Sequence, residues 1–474
     1  MPDDIFDLIV IGAGPGGYAA AIRASQLGMS VAVVEKRDTL GGVCLNEGCI
    51  PSKALLDSSE LFAMAKSGFA RHGIVIAGPE LDLVAMMARK NEVVKKLTDG
   101  ISFLFRKNKI RLFEGEGKPA GARRDGLQVV AVSTPDAPGI PQLINGRRVL
   151  LAAGGRPAEL PSLPFDGVTV VSSREALSFT SVPECLVVIG GGSIGLELGS
   201  VWNRLGAQVT VVEALPVLFP NGDRQGYDAL MKSLAKQGIR FLLQAGVTGG
   251  EVSGGKAVVR VTAGGTEEEL ECDKVLVAVG RVPDTTNLGL QEAGVRLDEK
   301  GRVTVDDDYM TSAPGIYAVG DLVRAPLLAH KAMEEGVVFA ERLTGQASLV
   351  EYEFIPSVTY TYPEAASVGK TEEQLREAGI RYSSGRFPFS ANGRARCLDD
   401  TDGFVKILAQ VETGKVLGVH VVGPRASELI AEAVTVMTYG GGIEDMAMTF
   451  HAHPTLSEAM KEAALDAANR AIHA

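Results

Sequence analysis

Short apolar runs closed by glycine recur along this chain, and two of them repeat one another. Ile5 to Val10 (IFDLIV) predicts a strand, Gly12-Ala13-Gly14-Pro15-Gly16-Gly17 a tight loop, and the alanine-rich stretch to Leu27 a helix. Ser30 to Val34 predicts a second strand, which ends at Glu35. The same order returns later. A strand runs from Cys185 to Gly190, then the loop Gly190-Gly191-Gly192-Ser193-Ile194-Gly195, a helix from Leu196 to Leu205, and a strand from Gln208 to Val212 ending at Glu213. Gly12 to Glu35 and Gly190 to Glu213 each span 23 residues, so one supersecondary unit occurs twice.

Residues 54 to 110 predict mainly helix, with a charged face at Ala88 to Lys96. Residues 111 to 149 predict short strands, with surface loops at Ala120 to Gly126 and Thr134 to Pro141. Leu150 to Pro157 (LLAAGGRP) is a strand entering a glycine turn, and Leu276 to Pro283 (LVAVGRVP) echoes it. The simplest organisation is a first nucleotide domain interrupted by a second, with the chain crossing at these two turns. Gly315 to Asp321 then returns as a strand that ends in an acid. From Glu351 the composition shifts. Val358 to Val368 and Gly403 to Val422 alternate as strands, and Ser427 to Thr438 and Leu456 to Ala471 read as helices. The expected fold is α/β: two Rossmann-like nucleotide-binding domains, the second inserted into the first, and a C-terminal α+β dimerisation domain. The expected boundaries are 1–150 and 283–350 for the first domain, 151–282 for the second and 351–474 for the third.

Strand, G-x-G-x-x-G, helix, strand, acid is a pattern with a mechanism. Glycines let the backbone approach a pyrophosphate, the helix N-terminus supplies N–H donors, and the acid accepts from ribose hydroxyls. One such loop is also the plain turn of any α/β sheet; two copies with equal acid spacing point to dinucleotides. Asp321, at the end of its strand, reads either as an acceptor for a cofactor hydroxyl or as a helix N-cap.

Charge and cysteine usage narrow the setting. At 474 residues the chain needs more than one core. The net charge of −11 argues against nucleic acid or an anionic membrane as a partner, and the apolar runs are too short to span a bilayer. Five cysteines in this length make no secreted disulfide framework. The opening MPDDIFDLIVIGAG enters a strand directly and reads as free of a targeting segment, so a cytoplasmic protein is expected.

The densest chemistry lies in GGVCLNEGCIPSK, Gly41 to Lys53. On a regular helix Cys44 and Cys49 would be separated by about 7.5 Å along the axis. A disulfide usually wants Cα atoms within about 6.8 Å. If the two are bonded, the segment is not an ideal helix, and Gly48 with Gly41-Gly42 permits the distortion. Two buried free thiols and half of a zinc site remain the other readings. The zinc site lacks ligands, because Cys185, Cys272 and Cys397 are single. Near the C-terminus stands His451-Ala452-His453-Pro454-Thr455, then Glu458. Glu458 is placed to orient the His453 imidazole and raise its basicity; the plain alternative is a surface histidine.

Taken together, GAGPGGY, GGVCLNEGCIPSK, GGGSIGLE, AVGRVPDT, YAVGDL, LLAHKAMEEG and HAHPTLSE resemble, in order and over nearly the whole chain, the pyridine nucleotide–disulfide oxidoreductases. The resemblance implies an enzyme that oxidises protein-bound dihydrolipoamide to lipoamide and reduces NAD, through FAD and a redox-active Cys44–Cys49 disulfide. It implies that Gly12, Gly14, Gly17, Glu35, Lys36 and Asp321 hold FAD, with Gly42, Val43, Gly117, the turn Ala153, Gly154, Gly155, and Leu327, Leu328, Ala329 and His330. Lys53 would lie beside the isoalloxazine and pair with Glu197. Cys49 would be the thiol nearest the flavin, Cys44 the one that exchanges with substrate. His453, from the other subunit, would be the base, and Glu458 its orienting group. NAD would occupy Gly190, Gly191, Gly192, Ser193, Ile194, Gly195, Glu197, Glu213, Val247 and Gly280. Glu213 would repel a 2′-phosphate, so NAD is expected over NADP. No metal is implied. The implied partners are a second copy, making a homodimer, and the lipoyl domains and acyltransferase core of 2-oxoacid dehydrogenase complexes. Glu47 and the LAAGGRP turn depart from the usual pattern. A related FAD-dependent disulfide reductase, or a non-catalytic FAD-bound subunit, is the alternative. NADP-linked glutathione reductases would want arginines where Glu213 stands, and mercuric reductases a C-terminal cysteine pair that DAANRAIHA lacks.

Overall fold

A computed structural model describes residues 5–122, 125–134, 139–219 and 222–473. The chain divides into two compact units.

The first unit takes in Met1–Ala54, Ala85–Ala158 and Gly280–Val350. Its centre is a parallel sheet in the order Ile316–Ala318, Val149–Leu151, Leu8–Ile11, Val31–Glu35, Arg111–Glu114. Side chains alternate across a strand, and here both faces are covered. Leu8 and Val10 join a core with Ala20, Ala24 and Phe339, whereas Ile9 and Ile11 join one with Val130, Val132 and Ile144. That double burial is why the strand reads as an unbroken apolar run. The helices Pro15–Gln26 and Ala329–Arg342 pack closely because small residues meet between them. A Cβ on Gly336 would fall 2.3 Å from the Gly16 carbonyl oxygen.

The second unit takes in Leu55–Val84, Glu159–Val279 and Glu351–Ala474. It repeats the parallel sheet in the order Val170–Val171, Lys274–Val277, Cys185–Ile189, Gln208–Glu213, Arg240–Leu243. It also carries an antiparallel sheet in the order Ser357–Thr359, Glu364–Gly369, Val416–Gly423, Phe404–Gln410, Tyr382–Pro388. The helices Ala426–Thr438 and Glu458–Ala467 cover this last sheet around a core of Val405, Ile407, Val419, Ile430 and Met460. The fold is therefore α/β with two Rossmann-like units, the second inserted into the chain of the first, followed by an α+β part.

Some expectations need correction. Residues 54–110 are mainly helical, as expected: Cys49–Ala63 continues through the π turn Met64–Gly68 and the 3-10 turn Phe69–His72, and Leu83–Lys107 follows, but residues 73–82 between them are irregular. Gly73 and Gly78 at positive φ and the following Pro79 break the helix there. The strand Glu116–Ala122 enters the loop expected at Ala120 to Gly126. Residues 123–124 of that loop and 135–138 of the loop expected at Thr134 to Pro141 lie outside the described residues. The last helix is shorter than expected, Glu458–Ala467, and Asn469 at φ 57° turns the chain away. Among the described residues no helix is long and apolar enough to cross a membrane.

Candidate active site

The two glycine loops have matching geometry. Gly12 and Gly190 hold φ at +102° and +106°, and a Cβ on either would fall 2.5 Å from a carbonyl oxygen, of Ala152 and Ala278 respectively. A Cβ on Gly17 would fall 1.9 Å from the Gly12 oxygen, and one on Gly195 2.1 Å from the Gly190 oxygen. No side chain fits at these four places, so the helices start close behind the strands. Glu35 Oε2 accepts from the Ala13 N–H at 2.7 Å, and Glu213 Oε2 from the Gly191 N–H at 2.8 Å. The other oxygens accept from the Arg37 and Leu215 N–H groups at 3.0 and 2.8 Å. Each acid thus braces its loop, and each oxygen retains a lone pair for a ribose hydroxyl. These cradles, open only because Cβ atoms are missing, fit the diphosphate and ribose of two dinucleotides.

Cys44 and Cys49 are set on the first cradle. Gly41 donates its N–H to the Ala13 oxygen at 2.9 Å, and a Cβ on Gly42 would fall 2.6 Å from Gly14 Cα. The chain then runs as the helix Gly42–Glu47, breaks at Gly48, and resumes as Cys49–Ala63. The break is the departure from ideal helix that a Cys44–Cys49 bond would require, although the two are not bonded here. A Cβ on Gly48 would lie 3.0 Å from the Val43 oxygen and 3.4 Å from Cys44 Cα, so glycine lets the second helix start against the first. Both cysteines are free thiols, with Cys44 hydrogen-bonded to Cys49. That bond, then burial and the Cys49 charge, push the Cys44 thiol far above its ordinary value, while the Lys53 charge pulls it down. The raised Cys44 thiol favours its protonated form. Cys49 is the first residue of a 15-residue helix, where the backbone dipole favours an anion. Lys53 is half-buried one turn further on. Glu47 forms a two-pronged pair with Arg37 at 2.7 and 3.0 Å, tying the end of the first cysteine helix to the residues after Glu35.

Other expected first-cofactor residues gather around the crossing turns. The Gly155 oxygen accepts from the Arg281 guanidinium, Arg281 lies 3.5 Å from Asp321, and the Gly154 oxygen accepts from the Asp284 N–H. Asp321 lies in the short turn Gly320–Leu322 and is no N-cap of a longer helix. Lys36 reaches Asp284 at 3.3 Å on the surface. Gly117 packs under Val34, and Leu327 to His330 lead into Ala329–Arg342 with Leu328 as its N-cap. In the second unit Glu197 is buried and accepts the Tyr360 N–H at 3.0 Å. Val247 lies on the strand Ala245–Ser253 against the apolar core, and Gly280 accepts the Ala158 N–H.

His453 and its neighbour His451 differ sharply. Glu458 Oε1 accepts from His453 Nδ1 at 2.8 Å, and its Oε2 accepts the Thr455 N–H at 2.8 Å. This fixes the Nδ1–H tautomer and leaves Nε2 as the basic nitrogen on a side chain 80% exposed. Burial acts to raise the Glu458 carboxyl, but the Thr455 and His453 hydrogen bonds and the nearby histidine charges outweigh it and hold it below the usual range. His451 instead spends both nitrogens, on Glu432 at 2.9 Å and the Thr449 oxygen at 3.1 Å. Its hydrogen bond to Glu432 raises its pKa.

Sequence reasoning passed over two groups. Tyr18 is pushed up to about 12 by burial and then by the Cys44 and Cys49 charges. Lys331 and Glu335 are fully buried and paired at 3.1 Å; Lys331 also donates to the Gly320 and Arg324 oxygens, and Glu335 accepts the Gly320 N–H. They hold the turn that carries Asp321. Both stand in LLAHKAMEEG, where their i, i+4 spacing is the available signal. Lys331→Met would remove the buried cation paired with the Glu335 carboxylate and is expected to cost about 3 kcal/mol or more, read as a lowered thermal midpoint. An unchanged midpoint would contradict the assignment.

A family model described as pyridine nucleotide-disulphide oxidoreductase matches residues 6–336, and the dimerisation domain of the same name matches residues 355–464. The chain is 48% identical over 469 residues to dihydrolipoyl dehydrogenase 1, mitochondrial, of Arabidopsis thaliana, covering 98% of this chain and 91% of that one. It is 48% identical over 471 residues to the dihydrolipoyl dehydrogenase of Cupriavidus necator, covering 97% of each. The crystal structure of LpdA from Mycobacterium tuberculosis superposes with a TM-score of 0.88 at 28% identity, covering 96% of this chain and 98% of that one.

Proposed function

The chain belongs to the pyridine nucleotide-disulphide oxidoreductases, and on that footing we propose that it is a dihydrolipoyl dehydrogenase: it oxidises protein-bound dihydrolipoamide to lipoamide and reduces NAD. The observation that carries this reading is the Cys44–Cys49 thiol pair, held across the Gly48 break and seated on the first dinucleotide cradle. FAD belongs to the first cradle and NAD to the second. Residues 1–150 and 283–350 form the FAD-binding domain, 151–282 the NAD-binding domain and 351–474 the interface.

The residues divide the chemistry. His453 Nε2 takes a proton from one thiol of the substrate, and Glu458 holds the imidazole and stabilises the imidazolium. The substrate thiolate attacks Cys44 of the oxidised pair, and the Cys49 sulfur leaves as a thiolate, stabilised by the helix N-terminus and Lys53. The second substrate thiol attacks the mixed disulfide and its proton passes to the departing Cys44 sulfur, which releases lipoamide and returns Cys44 as a thiol. FAD, when bound, relays the two electrons from the dithiol to nicotinamide. The balance is one dithiol and one NAD⁺ converted to one disulfide, one NADH and one proton.

The active assembly is a homodimer in which His453 serves the partner's cysteine pair. The match to a dimerisation domain supports it, as do Phe450, Tyr439 and Met448, which are 99%, 86% and 76% exposed in the same part as His453. A cytoplasmic setting and service to a 2-oxoacid dehydrogenase complex complete the proposal. The few, mostly separated cysteines suit a reducing compartment.

NAD reduction with dihydrolipoamide, run beside glutathione and NADPH assays, tests the activity. NAD should be preferred over NADP by at least about tenfold in kcat/KM, ~1.4 kcal/mol, because the Glu213 carboxylate would repel a 2′-phosphate on the ribose it accepts from. Equal efficiency with both nucleotides would defeat the Glu213 argument.

A further inference from the structure

We propose that Asp223 and Lys406 are positioning residues for the nicotinamide nucleotide, acting through the packed contacts of Tyr227, Phe219, Leu218 and Gly191 that lead to Glu213. The proposal rests on reading the Glu213 cradle as the NAD site.

The Lys406 ammonium, 1% exposed, donates to Asp223 Oδ2 at 2.8 Å and to Glu372 Oε2 at 2.6 Å. Asp223 is equally buried and is the N-cap of the helix Arg224–Lys236. Lys406 lies on the strand Phe404–Gln410 of the antiparallel sheet, so this ion pair fixes the helix start to that sheet. From Asp223 a continuous set of contacts leads back to the cradle. The Gly222 backbone lies on the Tyr227 ring, since a Cβ there would fall 1.7 Å from the ring. Tyr227 stacks on Phe219 at 4.2 Å and 22°, and Phe219 holds its backbone at φ +50°. Leu218 lies against Gly191, whose Cβ would fall 2.5 Å from its methyl. Gly191 donates to Glu213, and Glu213 also accepts from Leu215.

This set of contacts is thus anchored at both ends: by Glu213 at the ribose position and by Asp223 at a buried cation 183 residues away in sequence. A buried pair of this kind is a poor source of net stability but costs much to break, which suits it to fixing one geometry. The carboxylate at the ribose position needs that fixed geometry, because its other oxygen is held by the Leu215 N–H, three residues before Leu218.

The test is steady-state kinetics on the FAD-loaded enzyme. Asp223→Ala should raise KM for NAD by about tenfold while kcat at saturating NAD stays within about twofold. KM for dihydrolipoamide and the flavin content should not move. Asp223→Asn, which can keep one oxygen for Lys406 but gives up the separate oxygen that accepts from Gly226, should recover part of the loss; a merely structural role would not give this split. Phe219→Ala breaks the chain of contacts without touching the ion pair and should raise KM for NAD in the same direction, so it decides the matter if Asp223→Ala does not accumulate. An unchanged KM for NAD in these variants, while Glu213→Gln does change it, overturns the proposal. If Glu213→Gln also leaves it unchanged, the placement of NAD at this cradle is what fails.

Discussion

Cys49→Ser should lose dihydrolipoamide oxidation by about 10³-fold or more, ~4 kcal/mol, and still bind FAD. The two halves of that expectation come from different atoms. With one sulfur gone, Cys44 stands alone as a thiol and has no bond for the substrate thiolate to attack, so the electron pair has nowhere to go. FAD retention follows because the cradle is backbone: Gly12, Gly14, Gly17 and Gly42 meet through main-chain atoms, and none depends on the Cys49 sulfur. Serine at the start of Cys49–Ala63 remains compatible with a helix N-terminus. A thiol count completes the test. The oxidised protein, unfolded without reductant, should titrate three of its five cysteines, and all five after reduction. Five free thiols without reductant would remove the disulfide from the mechanism, and loss of flavin from Cys49→Ser would mean that the cradle argument is wrong.

What the sequence reveals follows from what each residue is required to do by local geometry. Gly12, Gly17, Gly190 and Gly195 stand where a Cβ would enter a carbonyl oxygen, so their identity and spacing survive in any chain that makes the loop. The Gly48 break was legible because five helical steps are too long for the contact the cysteines make. Lys406 and Asp223 left no such trace, since no periodicity links positions 183 residues apart. The irregular stretch at 73–82 was hidden by helical patterns on both sides. The strands Ala245–Ser253, Lys256–Ala263 and Thr266–Cys272 went unread because their paired register is nonlocal, not a feature of any one run. His453 and His451 both lie in one pentapeptide. Only the Glu432 and Glu458 contacts separate a fully engaged imidazole from one with a basic nitrogen toward solvent.

Mixing Cys44→Ser chains with His453→Gln chains should restore activity that neither homodimer has. Each homodimer lacks one component at both of its sites: the exchanging sulfur in one case, the base in the other. Loss of a positioned base alone is worth about 10²–10⁴-fold. In a two-fold dimer with shared sites, a mixed pair carries both lesions at one site and neither at the other. With random exchange of equal amounts, half of the dimers are mixed and half of their sites are intact, so about a quarter of wild-type activity should return. The exposure of His453 and its bond to Glu458 give the reason to expect a partner there: an oriented base with its free nitrogen toward solvent works only once something covers it. Phe450, nearly fully exposed three residues earlier, is an apolar surface that a second copy would bury. If verified subunit exchange brings no recovery, Cys44 and His453 act within one chain, and the shared-site dimer is wrong.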